Sequence, residues 1–172
     1  MNHFQQMIIL QAEAVATVAH SAIGQKRRYT DEPYINHPRA VVELVKQAKA
    51  ADHEMIAAAW MHDVLEDPHI SHEQIHDWFG PGIYKMVADL TNCPLELGNR
   101  QARFEINRDR LAISSPRVKT IKACHLIHNT SSIVEHDPKF AKLYLKEKRE
   151  LMEVALREAD IRLWAQAYRM CQ

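Results

Sequence analysis

Apolar positions recur along this chain with the 3.6-residue period of helices, and the two-residue alternation of strands is nearly absent. From Met7 to Ala22 the residues Ile8, Ile9, Ala12, Val15, Ala16 and Ala19 trace one stripe that continues to Ile23, which predicts a first amphipathic helix. Gly24, the polar run Gln25 to Glu32 and the X-Pro steps at Pro33 and Pro38 interrupt it, so a loop carrying Lys26, Arg27 and Arg28 is expected. A second helix should begin near Pro38. Asp52 is placed to cap a third, alanine-rich helix through Ile56, Ala57, Ala58, Ala59, Trp60, Met61 and Leu65, apolar on most sides and ending before Pro68. Ser71 with Gln74 reads as a capping box, Pro81 as the first residue of a helix over Ile83 to Leu90, and Ser115-Pro116 and Asp137-Pro138 as cap-plus-proline starts. These starts predict helices from Pro116 to about Val134 and from Pro138 to about Tyr168, with another between Gly98 and Ile113. The pattern predicts an all-α fold of about eight helices in a single domain over 1–172.

Composition narrows the function. In 172 residues, 22 Lys and Arg balance 22 Asp and Glu, so there is no basic excess of the kind that holds nucleic acid or an anionic membrane; neither partner is expected. The residues Met1 to Gln11 show no leader signature, and no apolar run is long enough to span a bilayer. Cys93, Cys124 and Cys171 lack C-x-x-C spacing and fit buried thiols, so a cytoplasmic setting is expected. The 11 histidines point instead to metal binding or acid–base chemistry.

Three segments concentrate that chemistry. In Ala57 to Asp67, AAAWMHDVLED, a continuous helix would stack His62 over Glu66 and Asp63 over Asp67, setting an imidazole beside three carboxyl groups. Three acids on a mostly apolar helix are costly to bury without a cation, and a divalent metal would supply one. In Pro33-Tyr34-Ile35-Asn36-His37-Pro38 the two prolines restrict the backbone around His37. In the helix from Pro116, Lys122, His125, His128 and Asn129 cluster, with His125 and Asn129 on one face. The dipeptides His76-Asp77 and His136-Asp137 are assigned no chemistry; the second is a helix cap.

Taken in order, these segments resemble the HD-domain metal-dependent phosphohydrolases, and within them the alarmone hydrolases of the RelA/SpoT type, including the small stand-alone metazoan SpoT-like hydrolases. The resemblance runs from Gly24 to about Met152 and rests on GQKRRYTDEPYINHP, HDVLED, GNRQARFEINRDRLA and TIKACHLIHNTSSIVEHDPKFAKLYLKEKREL. It implies a helical HD domain holding one divalent metal, usually Mn²⁺, through His37, His62, Asp63 and the residue at position 125. It further implies hydrolysis of the 3′-pyrophosphate of (p)ppGpp to GDP or GTP and pyrophosphate, with Glu66 accepting a proton or orienting water and Asp67 as its partner. By the same resemblance Arg27 lies near the guanine base, Lys26 meets phosphate, Asn129 lies near ribose and phosphates, and Tyr144 is a further substrate contact; Arg100 reads as ordinary surface. From the 172 residues, no synthetase region is expected beside this domain.

The sequence departs from the family at one ligand. Lys122 and Asn129 pin the pattern K-L-A-D-x-x-x-N onto KACHLIHN, which sets His125 where the ligand Asp is expected. A neutral nitrogen in place of an anionic oxygen favours Zn²⁺, Ni²⁺ or Fe²⁺ over Mn²⁺. The alternatives are a retuned phosphohydrolase, an HD phosphatase acting on another nucleotide such as NADPH, and a catalytically impaired nucleotide-binding protein. The apolar positions of the helix from Pro138 suit either a core or an oligomer contact.

Overall fold

Local sequence sets where most helices begin. Asn2 opens α1 (His3–Ala22) with a capping box, its side chain accepting from the Gln5 amide while the Gln5 side chain accepts from the Asn2 amide. Asp52 accepts from the Met55 amide at 2.9 Å and opens α3 (His53–Trp60). Ser71 and Gln74 form the expected box at the start of α4 (His72–Leu90), and Asn99 caps α5 (Arg100–Ile113). Ser115 and Asp137, each followed by proline, open α6 (Pro116–His136) and α7 (Pro138–Val154). The remaining helices are α2 (Asn36–Val45) and α8 (Ile161–Arg169). The computed structural model describes residues 1–172, and its eight α-helices with two short 3₁₀ turns and no named strand make it all-α, as the pattern predicts.

The chain forms two compact units, Met1–Thr91 and Asn92–Gln172. In the first, α1, α2 and α4 all pack on α3. That central position explains why α3 is apolar around its circumference, with every residue from Met55 to Trp60 buried. Helix α1 meets it through Ala12, Ala16 and Ala19, small residues that allow close approach. In the second unit α6 has the corresponding place, packed by α7 and α8, and it buries Ile121, Ala123, Cys124, Leu126 and Ile127.

Two sequence-based boundaries are corrected. Helix α3 does not run on to Leu65: it stops at Trp60, Met61 caps it, and Val64–Glu66 is a single 3₁₀ turn. Pro68 disfavours helical backbone at Asp67, which adopts φ −79°, ψ 120°. The helical stacking of His62 on Glu66 and of Asp63 on Asp67 is therefore absent. The helix expected from Pro138 to Tyr168 is two helices, because Asp160 caps α8 by accepting from the amides of Arg162 and Leu163, while its own amide donates to Thr120 Oγ1 on α6 at 2.9 Å. Neither glycine nor proline marks that break. Both starts read in the next segment hold: α4 opens on the Ser71 box, and Gly80, at φ 77°, interrupts it just before Pro81, where the second stretch begins.

Candidate metal centre

His37 reaches the first unit's interior from the opening turn of α2, where Pro38 is tolerated because the amide it lacks has no helical acceptor there. The His37 amide donates to the Tyr34 carbonyl at 2.8 Å, and its side chain is fully buried. His62 and Asp63 come from the turn that follows α3 and are also buried. Their atoms converge on one point. His62 Nε2 lies 3.1 Å from His37 Nε2 and 2.9 Å from Asp63 Oδ2, and His37 Nε2 lies 3.7 Å from the same oxygen.

The orientation of the His62 ring follows from its other nitrogen. Nδ1 is 2.8 Å from the Ala59 carbonyl oxygen, which can only accept, so Nδ1 carries a hydrogen and Nε2 is the ring nitrogen turned toward Asp63 and His37. Two imidazole nitrogens and a carboxylate oxygen gathered in one buried place are a donor set of the kind that holds a borderline divalent cation. Two of their separations, 2.9 and 3.1 Å, lie close to the ligand–ligand edges of about 3.0–3.4 Å expected around a metal bonded at about 2.1 Å, and the third, 3.7 Å, is wider. The backbone carbonyl on Nδ1 is also the usual outer partner of a metal-bound imidazole. His37, His62 and Asp63 thus fit a divalent metal.

Around these donors the structure adds residues that sequence reasoning passed over. The Tyr34 hydroxyl donates to Asp63 Oδ2 at 2.6 Å. Burial, followed by the nearby Asp63 carboxylate, raises the Tyr34 pKa, so the phenol stays protonated. Its ring lies 4.8 Å from the His20 ring and 5.7 Å from that of His37. His20 is buried on α1, its Nδ1 donates to Gln25 Oε1 at 2.7 Å, and its Nε2 has no hydrogen-bond partner. Desolvation lowers the His20 pKa, only partly offset by the Gln25 bond, which holds the ring neutral. A signal existed in the sequence: His20 falls on the alanine stripe of α1, and Tyr34 stands within the PYINHP segment.

The other predicted residues divide by unit. Glu66 is exposed at the end of the 3₁₀ turn, while Asp67 is buried and its Oδ1 accepts from the His69 amide at 2.9 Å. The basic loop is tied by the Arg27 amide to the Glu32 carbonyl at 2.8 Å and by the Tyr34 amide to the Gln25 carbonyl at 3.0 Å. Within it Lys26 pairs with Asp31 at 2.8 Å on the surface, and the Arg27 guanidinium sits 5.8 Å from the centre of the Tyr34 ring. A cavity of about 190 Å³ opens beside this loop, lined in part by His20, Lys26 and Tyr34. In the second unit, His125 and Asn129 are one turn apart on α6, with Asn129 Nδ2 3.1 Å from His125 Nε2. Tyr144 is half-buried on α7, its ring 6.1 Å from that of Phe140. Arg100 is held by Glu147 at 2.6 and 2.8 Å and lies over Phe140, consistent with packing.

Comparison with known proteins bears on the family and the fold. Residues 12–151 match the HD domain model, a stretch that includes residues of both units. The chain belongs to the HD-domain family. Among curated relatives, this HD protein is 32% identical over 129 residues to an Aquifex aeolicus guanosine-3′,5′-bis(diphosphate) 3′-pyrophosphohydrolase, covering 74% of this chain and 18% of the relative. It is 32% identical over 117 residues to the Drosophila melanogaster protein of that name, MESH1, covering 66% of this chain and 64% of the relative. The chain thus spans less than two thirds of the length of these relatives, and about a fifth of a Haemophilus influenzae homologue with the same activity in its name. The solved structure of a metazoan SpoT ortholog described as hydrolyzing ppGpp superposes with a TM-score of 0.83 at 24% identity, covering 95% of this chain and 93% of that one. A Listeria monocytogenes crystal structure superposes with a TM-score of 0.66 at 20% identity, covering 84% of this chain and 96% of that one. Both likenesses bear on the fold. No helix of the HD protein is long and apolar enough to cross a membrane.

Proposed function

We propose that this HD protein is a metal-dependent hydrolase that removes the 3′-pyrophosphate of (p)ppGpp, yielding GDP or GTP and pyrophosphate. The observation that carries the reading is the convergence of His37 Nε2, His62 Nε2 and Asp63 Oδ2 in a chain whose relatives bear that activity in their names. The two compact units act as one HD domain in this proposal, in keeping with a family match that takes in parts of both. His125, at the position of the family's ligand Asp, is the proposed fourth ligand. Mn²⁺ is the family's usual metal, and the imidazole at position 125 shifts the preference toward Zn²⁺, Ni²⁺ or Fe²⁺.

When bound, the metal supplies Lewis acidity toward a phosphoryl oxygen and a lowered pKa for water. Glu66 leaves the end of the 3₁₀ turn with its side chain exposed, which suits a group that takes the proton from attacking water. Asp67, whose Oδ1 accepts from the His69 amide, is proposed as the partner of Glu66. Water adds to the phosphorus attached to the 3′ oxygen, the P–O bond to that oxygen breaks, and the 3′ oxygen leaves as a hydroxyl after taking a proton. Lys26 and Arg27 offer positive charge to the polyphosphate and a flat cation to the guanine base. Asn129 and Tyr144 are proposed as contacts to the ribose–phosphate and to the substrate. The substrate is a small nucleotide, with no nucleic acid or membrane as partner, and the proposed setting is cytoplasmic.

Purified protein with Mn²⁺ is expected to release pyrophosphate from ppGpp, and Glu66→Gln to lower kcat by at least about 100-fold with metal content unchanged. No turnover with Mn²⁺, Zn²⁺, Ni²⁺, Co²⁺ or Fe²⁺ refutes the substrate. A nucleotide panel that includes NADPH separates an HD phosphatase of different specificity. The histidine at position 125 supports one further reading, a nucleotide-binding protein with an impaired centre. That reading requires His125→Asp to gain Mn²⁺ and activity that the wild type lacks.

A further inference from the structure

We infer that Tyr34 is a positioning residue that fixes the Asp63 carboxylate for metal binding and links that carboxylate to the basic loop. The inference rests on the proposed metal centre and goes beyond it, since Tyr34 is not itself a ligand. Its hydroxyl donates at 2.6 Å to Asp63 Oδ2, the same oxygen that faces the Nε2 atoms of His62 and His37. A carboxylate oxygen so held cannot swing away about the side-chain torsion without breaking a buried, charge-assisted bond.

The tyrosine is itself fixed on several sides. Its backbone amide donates to the Gln25 carbonyl, and the Gln25 side chain accepts from the His20 ring that packs against the tyrosine. His37 lies at its edge, so the tyrosine touches one proposed ligand through its ring and a second through its hydroxyl. Over the ring lies the Arg27 guanidinium, 5.8 Å from its centre. One side chain therefore joins the loop proposed to bind nucleotide to the oxygen proposed to bind metal. A nucleotide that drew Arg27 off the ring would alter the setting of Asp63, and a metal on Asp63 would alter the loop in return.

The test uses the full chain and reads metal binding apart from activity. Tyr34→Phe keeps the ring and deletes only the hydroxyl. Titration with Mn²⁺, followed by the loss of the free-ion electron paramagnetic resonance signal, should give a Kd raised about 10-fold. The melting temperature of the metal-free protein should fall by no more than about 6 °C, the cost of one hydrogen bond. Should Tyr34→Phe fold poorly, Gln25→Leu leaves the hydroxyl in place and removes the support behind it, and a Kd raised about 3-fold is expected. Equal Mn²⁺ affinity in wild type and Tyr34→Phe overturns the inference while leaving the metal centre intact. A large fall in metal-free melting temperature accompanying the weaker binding assigns Tyr34 to folding and also overturns it. If the wild type binds no divalent ion, the metal-centre reading fails and this inference fails with it.

Discussion

Lys148 is the most exacting test of the physical account, because the second unit buries it without a carboxylate. It is 1% exposed on α7, and its Nζ donates to the Leu126 carbonyl at 3.3 Å and to Thr130 Oγ1, both on α6. Burial pulls its pKa from 10.5 down to about 8, against a smaller opposing influence of Cys171. Below pH 8 the ammonium is charged in both folded and unfolded chains, so the folded state bears the full cost of burying it. Between about pH 8 and 10.5 the unfolded chain holds a proton that the folded chain has released, and stability contributed by this group rises with pH. The gap corresponds to about 3 kcal/mol in total, at a slope of up to about 1.4 kcal/mol per pH unit. Lys148→Met keeps the length of the side chain and removes the charge. The Leu126 carbonyl keeps a donor, since Thr130 Oγ1 still donates to it at 2.6 Å. Urea unfolding followed by circular dichroism should find Lys148→Met more stable than wild type by up to about 3 kcal/mol at pH 7.5, with the difference shrinking by about 2 kcal/mol at pH 9.5. A difference that stays constant with pH, or a variant less stable than wild type throughout, refutes the reasoning.

Three further outcomes are expected. His62→Ala removes a nitrogen from the centre, and elemental analysis of the purified variant should find divalent metal lost while the wild type retains it. Gly80→Ala meets no atom within 4 Å but must hold φ 77°, so urea unfolding should register a loss of about 1–2 kcal/mol from backbone strain alone. Ser115→Ala deletes the side-chain oxygen that accepts from the Val118 amide, and the same assay should give a loss of about 1 kcal/mol.

Helix starts were legible in the sequence because each is a local event: Asp52, Ser71, Ser115 and Asp137 cap amides three residues away and need nothing from the rest of the chain. The all-α class was legible for the same reason, since the apolar period is a property of neighbouring residues. His37, His62 and Asp63 were legible only as an ordered set of motifs, because no spacing along the chain says that Nε2 of residue 37 will lie 3.1 Å from Nε2 of residue 62. The 3₁₀ turn at Val64–Glu66 escaped, as did the break before α8, whose Asp160 amide is met by Thr120 on a different helix. What only the tertiary structure decided was the partnership of groups distant in sequence: Tyr34 with Asp63, His20 with Tyr34, Lys148 with Thr130. Caps and periodicity are written residue by residue, whereas the donor that meets a buried carboxylate or ammonium depends on which elements pack together.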